Sequence, residues 1–200
     1  MMKEHYLTLL RNRETDTAEF RYAAGNLASL IAQEISLALP LKSRKIHTPM
    51  GETAGGSFNK KVILVPILRA GLAFLPSFLA LFREASIGFL GIRRDEKDAR
   101  PHLYYENLPQ IRSDDYVFLL DPMLATGGTA NLALDKLAEK GAAPIHTLLA
   151  TFLSAKPGIE AIEARHPHVK IFTAATDPHL DAKKFIVPGL GDFGNRYFGT

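Results

Sequence analysis

Short, continuous apolar runs alternate along the chain with segments whose apolar residues recur at helical spacing. The apolar runs predict strands at 61–68, 86–92, 116–120, 143–153 and 169–174. Runs of this length, without a regular polar alternation, are typical of strands that are buried on both faces of a parallel sheet. The pattern therefore favours a sheet that is covered on both sides.

Helical patterns fill the intervals between these strands. Asp16, followed by Glu19 three residues later, resembles a capping box, and the apolar residues between Phe20 and Ile35 then fall on one helical face until Pro40. Further helical patterns are found at 72–82, 132–138 and 157–165. Because strands and helices alternate, we predict an α/β fold with a mainly parallel central sheet and helices on both faces.

Three segments interrupt this alternation. Residues 42–59 are rich in turn formers and predict a small hairpin arm beside the sheet. Residues 93–109 begin with a charged run that predicts a flexible surface loop. Residues 181–200 combine glycines with three phenylalanines, which a disordered tail would not retain. We predict that this last segment forms a hood whose backbone bends around a flat ligand.

Length and composition limit the classes of protein. A chain of 200 residues, 46% of them hydrophobic, predicts a single domain, 1–200, with a real core. There is no apolar run of membrane-spanning length, and cysteine is absent, so disulfides and thiolate metal sites are excluded. We therefore expect a cytoplasmic protein. A net charge of +3 suits anionic small molecules and is too diffuse to indicate nucleic-acid binding.

The richest chemistry follows the strand at 116–120. Asp121 stands where the strand ends, small flexible residues follow to Thr129, and a helical pattern begins after them. Glycines allow close approach to an anion, and the first amides of a helix point outward beside the positive end of its dipole. The hydroxyls of Thr126 and Thr129 add donors, while Asp121 can accept from sugar hydroxyls or hold magnesium-bound water.

A ligand with both a phosphate and a ribose accounts for this order of residues. The alternative is a strand-to-helix turn with an N-capping threonine. No lysine follows Gly127 and Gly128 in the position that a nucleotide-hydrolysing P-loop requires, so that class of site is excluded.

Five segments carry a resemblance to one family. The segment DPMLATGGT at 121–129 resembles the 5-phosphoribosyl-1-pyrophosphate (PRPP) motif of type I phosphoribosyltransferases, and Asp121-Pro122 is the form found in the uracil phosphoribosyltransferase family. The same family is resembled by four further segments: the Thr-Pro…Gly-Glu pairs at 48–52, PILRAG at 66–71, the charged run at 93–101 with Tyr104-Tyr105, and the ending at 185–200. The resemblance extends from about Arg11 to Thr200 and departs from the family at Arg93, where tyrosine is expected, and at Asn195, where many members have aspartate.

The resemblance implies roles for individual residues. Asp121, Arg94 and Asp192 would be catalytic, and uracil would be bound by Ile186, Gly191, Asp192 and Phe193. PRPP would be bound by Arg69, Arg94, Asp121, Pro122, Met123, Leu124, Ala125, Thr126, Gly127, Gly128, Thr129 and Asp192. Mg²⁺ would arrive with PRPP, with no direct protein ligand assigned and Asp192 as the candidate contact.

The implied reaction converts uracil and PRPP to UMP and pyrophosphate, as in pyrimidine salvage. The resemblance also implies a homodimer or homotetramer and leaves open GTP or CTP as an effector. The alternative is a regulator that keeps the fold without the chemistry and senses pyrimidine nucleotides or binds RNA. A phosphoribosyltransferase for another base, such as hypoxanthine or orotate, is disfavoured by the Asp-Pro pair and by the C-terminal ending.

Overall fold

The computed structural model of the chain describes residues 2–94 and 100–200, without the side chain of Arg94. The helices are α1 Met2–Arg11, α2 Thr17–Leu37, α3 Leu75–Leu81, α4 Gly128–Glu139, α5 Lys156–Arg165 and α6 Phe193–Phe198. The strands are β1 Lys42–Thr48, β2 Gly51–Ser57, β3 Val62–Leu68, β4 Ser86–Ile87, β5 Phe89–Arg94, β6 Pro101–Asn107, β7 Tyr116–Leu120, β8 Met123–Leu124, β9 Thr147–Ala155, β10 Lys170–Asp177, β11 His179–Leu180 and β12 Ile186–Val187. Single 3₁₀ segments lie at Ala70–Phe74 and Pro144–His146.

The central sheet has the strand order β10-β9-β7-β3-β5-β6, with β4 beside β3 and β8 beside β9. All pairings in it are parallel except that between β5 and β6. The predicted α/β fold with a mainly parallel sheet is thus confirmed. Because β3 and β7 are parallel neighbours, the loops that follow them emerge at the same edge of the sheet.

Helices cover both faces of the sheet, as the apolar runs predict. Strand β7 is buried at every position, with Phe118 and Leu120 in the core layer under α2 and α3. Val117 and Leu119 point to the opposite layer, under α4 and α5. Full burial of a side chain of this size contributes roughly 1.5–3 kcal/mol. Strand β7 is therefore firmly held at the centre of the fold.

The start of α2 follows the predicted capping pattern. The Oδ1 atom of Asp16 accepts a hydrogen bond of 2.8 Å from the backbone N–H of Glu19. Phe20, Leu27 and Ile35 are fully buried against the sheet. The helix ends at Leu37, just before Pro40.

Several boundaries differ from the sequence-based expectation. The strand expected at 86–92 is divided at Gly88 into β4 and β5, and the strand expected from 143 begins only after the 3₁₀ segment opened by Pro144. The part of the 93–109 segment that follows Arg100 contains β6, paired with β5, rather than a loop. Helices α1 and α6 lack a long apolar stripe, which is why periodicity did not predict them.

The segment 42–57 forms an antiparallel hairpin of β1 and β2. Every residue of β1 is exposed, and at the tip of the hairpin Met50 is 96% exposed. Within residues 2–94 and 100–200, none of the helices combines the length and apolarity needed to cross a bilayer.

Candidate active site

Asp121 lies directly after β7, at the carboxyl edge of the sheet. Its backbone N–H donates to the carbonyl oxygen of Ala150 on β9 at 3.1 Å, which continues the strand pairing for one more residue. The residue is half-buried and lines a cavity of about 370 Å³. The strand thus delivers a carboxylate to the cavity from a rigid position.

Residues 122–127, which include the short strand β8, turn the chain from β7 into α4. Gly127 has φ of 80°, a left-handed conformation that favours glycine, and a Cβ there would lie 2.9 Å from the Cβ of Ala161. The next residue begins a helix of 12 residues, whose first amides have no partners within the helix. The loop therefore presents backbone donors at the positive end of a helix dipole.

Only part of the predicted phosphate loop lines the cavity. Pro122, Met123, Ala125 and Thr129 line it, together with Asp121. Leu124 is buried in the core, and the Thr126 hydroxyl accepts from the backbone N–H of Gly128 at 3.4 Å. Leu124, Thr126, Gly127 and Gly128 are not among the residues that line the cavity.

Arg69 follows β3 and lines the same cavity. The peptide bond between Leu68 and Arg69 is cis, and a 3₁₀ segment begins at the next residue. The guanidinium carbon lies 5.3 Å from the centre of the Phe198 ring. A Cβ on Gly71 would lie 2.2 Å from the carbonyl oxygen of Leu120, so only glycine allows this loop to pack against the end of β7. The loop after β3 is therefore packed against the end of β7, one residue before Asp121.

Arg94 is the last residue of β5, and β5 pairs with β3 in the central sheet. Its side chain and residues 95–99 lie outside the described residues, so the predicted contact of Arg94 with PRPP stays a prediction. Arg93 and Tyr104 line a second cavity of about 320 Å³ that shares Arg69 and Ile92 with the first one. The end of β5 is therefore adjacent to the site.

The C-terminal segment also lines the cavity. Strands β11 and β12 make a small antiparallel pair, and Ile186, Gly191, Asp192 and Phe193 all line the cavity. Asp192 caps α6, since its Oδ1 atom accepts from the backbone N–H of Asn195 at 2.8 Å. The other carboxylate oxygen has no protein hydrogen bond among the described residues.

Phe193 belongs both to the cavity wall and to the hydrophobic core. It lines the cavity, yet its ring is 98% buried in the core, 5.3 Å from the Phe20 ring and 5.4 Å from the Phe152 ring. The ring therefore anchors α6 to the domain. The helix itself was not predicted from the sequence. Asp192 at its N-cap is nevertheless a recognisable start signal, and Gly199 at its end, with φ of 75°, is a recognisable stop signal.

Seven residues of the cavity wall were not among the predicted site residues: Ile67, Leu68, Ala70, Ile92, Lys184, Phe185 and Gly194. Two of them lie beside the predicted base contact. Lys184, with φ of 68°, and Phe185, which is 47% exposed, both line the cavity beside Ile186. Their signal was the turn that Asp181 closes, in which Oδ1 accepts from the backbone N–H groups of Lys183 and Phe185 at 2.8 Å each. Lys184 adds a second cation to the site beside Arg69.

The donor set suits a metal ion that is shared with a substrate. Among the described residues no cluster of three or more His, Asp or Glu side chains could hold a metal alone. Asp121 and Asp192 nevertheless line one cavity. Magnesium commonly retains several waters and takes one or two carboxylates together with phosphate oxygens, so these two residues fit a magnesium ion that arrives with a polyphosphate.

Known proteins support one family. The family model described as uracil phosphoribosyltransferase matches residues 1–200. Curated proteins named uracil phosphoribosyltransferase are 43% identical in Lacticaseibacillus paracasei and 41% identical in Enterococcus faecalis, each over 98% of this chain and 94% of the relative.

Solved structures share the fold. The AQ2163 protein from Aquifex aeolicus superposes with a TM-score of 0.91 at 33% identity, covering 99% of this chain and 94% of that one. A hypoxanthine-guanine phosphoribosyltransferase from Bacillus anthracis, at 11% identity and a TM-score of 0.53 over 80% of each chain, shares the fold. The chain belongs to the uracil phosphoribosyltransferase family.

Proposed function

We propose that this chain transfers the 5-phosphoribosyl group of PRPP to N1 of uracil, giving UMP and pyrophosphate. The observation that carries the proposal is one cavity that is lined both by Asp121 and its loop and by Ile186, Gly191 and Phe193. A sugar phosphate and a planar base require neighbouring subsites of this kind. The family assignment gives the reaction its substrates.

The loop from Ala125 to Thr129 would hold the 5-phosphate through its backbone N–H groups and the start of α4. Asp121, fixed at the end of β7, would accept hydrogen bonds from the ribose hydroxyls. Holding the sugar at both ends places C1 in a defined position, and such orientation lowers the barrier of a bimolecular reaction by several kcal/mol, roughly 7–11 in favourable cases.

The leaving group would face Arg69 and Arg94. As the bond between C1 and pyrophosphate breaks, the sugar becomes oxocarbenium-like and negative charge grows on the departing oxygens. Guanidinium groups suit this task because they offer forked donors to phosphate oxygens. When bound, Mg²⁺ would add charge neutralisation at the pyrophosphate, with Asp121 and Asp192 as its nearest candidate carboxylates.

The C-terminal segment would read the base. Backbone groups beside Ile186 and Gly191 can match the carbonyl and N–H pattern of uracil, and a base with the wrong pattern would leave these groups unpaired. Phe185 and Phe193 would confine the ring and exclude water, which would otherwise hydrolyse PRPP.

The deciding experiment is an assay of the purified protein with Mg²⁺ and PRPP and each of uracil, cytosine, hypoxanthine and orotate. The expected result is UMP from uracil and negligible nucleotide from the other bases. Formation of another nucleotide in preference to UMP would contradict the proposed substrate, and absence of any product would favour a regulator without chemistry.

We also propose a cytoplasmic homo-oligomer. The hairpin of β1 and β2 extends apolar side chains into solvent: Met50 is 96% exposed and Ile46 is 38% exposed. Leu41, the residue before the hairpin, is 65% exposed. Burying such residues against a second copy would remove their cost in water. Sedimentation of the wild type and of the variant Met50→Lys tests this: a dimer or tetramer that the substitution weakens is expected, and a monomeric wild type would contradict it.

A further inference from the structure

A single turn links the cavity-lining residues Ile186 and Gly191. At its centre Gly189 has φ of 65°, and a Cβ there would lie 2.1 Å from the carbonyl oxygen of Ile186. The turn itself does not line the cavity. Its conformation nevertheless fixes where both neighbouring residues point, because the chain between them is only four residues long.

An ion pair holds both peptide groups of Gly189. The guanidinium of Arg11 donates to both carboxylate oxygens of Asp177, at 2.6 and 2.8 Å, and to the carbonyl oxygen of Gly189 at 2.8 Å. The Oδ2 atom of Asp177 in turn accepts from the backbone N–H of Gly189 at 2.8 Å. The three residues come from α1, from the end of β10 and from the C-terminal segment.

A second arginine holds the same turn from α6. The guanidinium of Arg196 donates to the carbonyl oxygen of Leu190 at 2.8 Å and also to the carbonyls of Leu10 and, at 2.6 Å, Asn12. It lies 4.4 Å from the centre of the Phe20 ring. Two guanidinium groups therefore tie the turn to the carboxyl end of α1.

We propose that Arg11, Asp177 and Arg196 are positioning residues for the base subsite, so that the N-terminal helix α1 determines uracil binding without touching uracil. The proposal rests on the proposed function for its substrate. Its physical basis is that hydrogen bonds between charged groups are stronger than those between neutral groups. Water competes little for these bonds, because the side chain of Asp177 is only 7% exposed. These bonds fix the turn at its N–H and at its carbonyls, whereas an isolated glycine turn has many alternative conformations.

The decisive comparison is between Arg11→Met and Arg13→Met. Arg13 is two residues away, its side chain is 92% exposed, and it pairs only with the neighbouring Glu14 among the described residues. Arg11→Met is expected to raise KM for uracil about tenfold, which corresponds to about 1.4 kcal/mol, and to leave KM for PRPP within about twofold. Arg13→Met is expected to match the wild type. Arg11→Lys, which retains the charge but not the fork of donors, is expected to lie between them.

Hydrogen exchange provides a readout that does not require activity. In Arg11→Met the amides of 186–192 are expected to exchange faster than in the wild type, while those of β3 and β7 keep their rates. If the wild type formed no UMP, the proposed function would fail, and this exchange experiment would still decide whether the arginine fixes the turn.

Three results would overturn the inference, two of them with the single variant. One is equal increases of KM for uracil and for PRPP in Arg11→Met, since these would indicate a general loss of structure. The other is unchanged exchange at 186–192 in a folded Arg11→Met protein. A double variant of Arg11→Met and Asp177→Asn should add little to the KM effect of Arg11→Met, because both substitutions break the same contact; full additivity would also contradict the proposal.

Discussion

The guanidinium of Arg69 lies 5.3 Å from the centre of the Phe198 ring, so the loop after β3 and the last turn of α6 are in contact. Arg69, the predicted pyrophosphate contact, is thus packed against α6, whose first residue, Phe193, lines the predicted uracil site. An aromatic face attracts a cation with about 0.5–1 kcal/mol at exposed sites. The ring therefore restricts the positions that the guanidinium can adopt.

Replacing Phe198 tests this contact. Phe198→Leu should raise KM for PRPP about two- to fivefold, because the lost attraction of 0.5–1 kcal/mol lets the arginine leave its position. Phe198→Tyr retains the ring face and serves as the matched control. Initial rates at varied PRPP measure the effect, and an unchanged KM in a folded Phe198→Leu protein would show that the ring does not orient Arg69.

Substitution of Asp121 should separate chemistry from stability. Asp121→Asn is expected to lower kcat/KM by about 100-fold or more, a size typical of losing a fixed polar group beside the reacting atoms. The melting temperature should change little, because the carboxylate lies at the cavity rather than in the core. Asp114→Asn, in the exposed turn before the same strand, is the control. Full activity of Asp121→Asn would refute the proposed role.

Two glycine substitutions should have opposite effects on stability. A Cβ on Gly158 would lie 2.5 Å from the carbonyl oxygen of Ala125 and 2.8 Å from that of Leu124. Gly158→Ala should therefore displace the predicted phosphate loop, cost about 1–3 kcal/mol of unfolding free energy and weaken PRPP binding. Gly25→Ala, in α2 with nothing within 4 Å, should add roughly 0.5–1 kcal/mol.

Chemical denaturation and PRPP titration check this pair of variants. A Gly158→Ala protein that binds PRPP like the wild type would mean that the loop tolerates the displacement or does not bind the phosphate.

The ion pair of Arg11 and Asp177 should give the fold a defined dependence on acid. Hydrogen bonds from Arg11, and secondarily from the backbone of Gly189, hold the pKa of Asp177 below its ordinary value of 3.8, with a smaller contribution from His179. A lowered carboxyl pKa stabilises the folded state above the ordinary pKa and loses this effect as pH falls through the folded value. The contribution is therefore complete at neutral pH, begins to decline near pH 3.8 and is lost only as the pH falls through the lower pKa of the folded state.

Thermal unfolding of the wild type and of Asp177→Asn across pH measures this contribution. At pH 7 the variant should be less stable by about 2 kcal/mol, a typical size for hydrogen bonds to a charged group. The difference should narrow as the pH falls below 3.8. A difference that stays constant down to the acid transition would show that Asp177 does not titrate as an ion-paired carboxylate.

The sequence predicts those parts of the fold whose residues carry a local pattern. Strand β7 reads as a buried strand because all its residues are apolar, and Asp121 follows at the strand end where a parallel sheet presents its ligands. The carboxyl edge of the sheet could therefore be predicted as the site from the sequence alone. The capping of α2 by Asp16 is likewise local and was predicted.

What the sequence did not predict depends on distant partners. Helix α1 buries only Leu7 and Leu10, so its apolar pattern is too sparse to be recognised, and Arg11 finds its partner 166 residues away. Helix α6 is short and contains Gly194, which argues against a helix by propensity, yet the Phe193 ring fixes it in the core. Tertiary packing decides the conformation in both places.

The shape of the loop after β7 depends on a helix that is translated later. Ala161 and the carbonyl of Gly158 lie so close to residue 127 that only glycine fits there, and Asn131 donates to the carbonyl of Ala161 at 3.4 Å. A chain that has left the ribosome only as far as α4 would thus contain the whole DPMLATGGT segment without the support that shapes it. Affinity for a sugar phosphate should accordingly be acquired late during synthesis, once α5 has docked, and nascent chains that end before residue 156 should not be retained by immobilised PRPP.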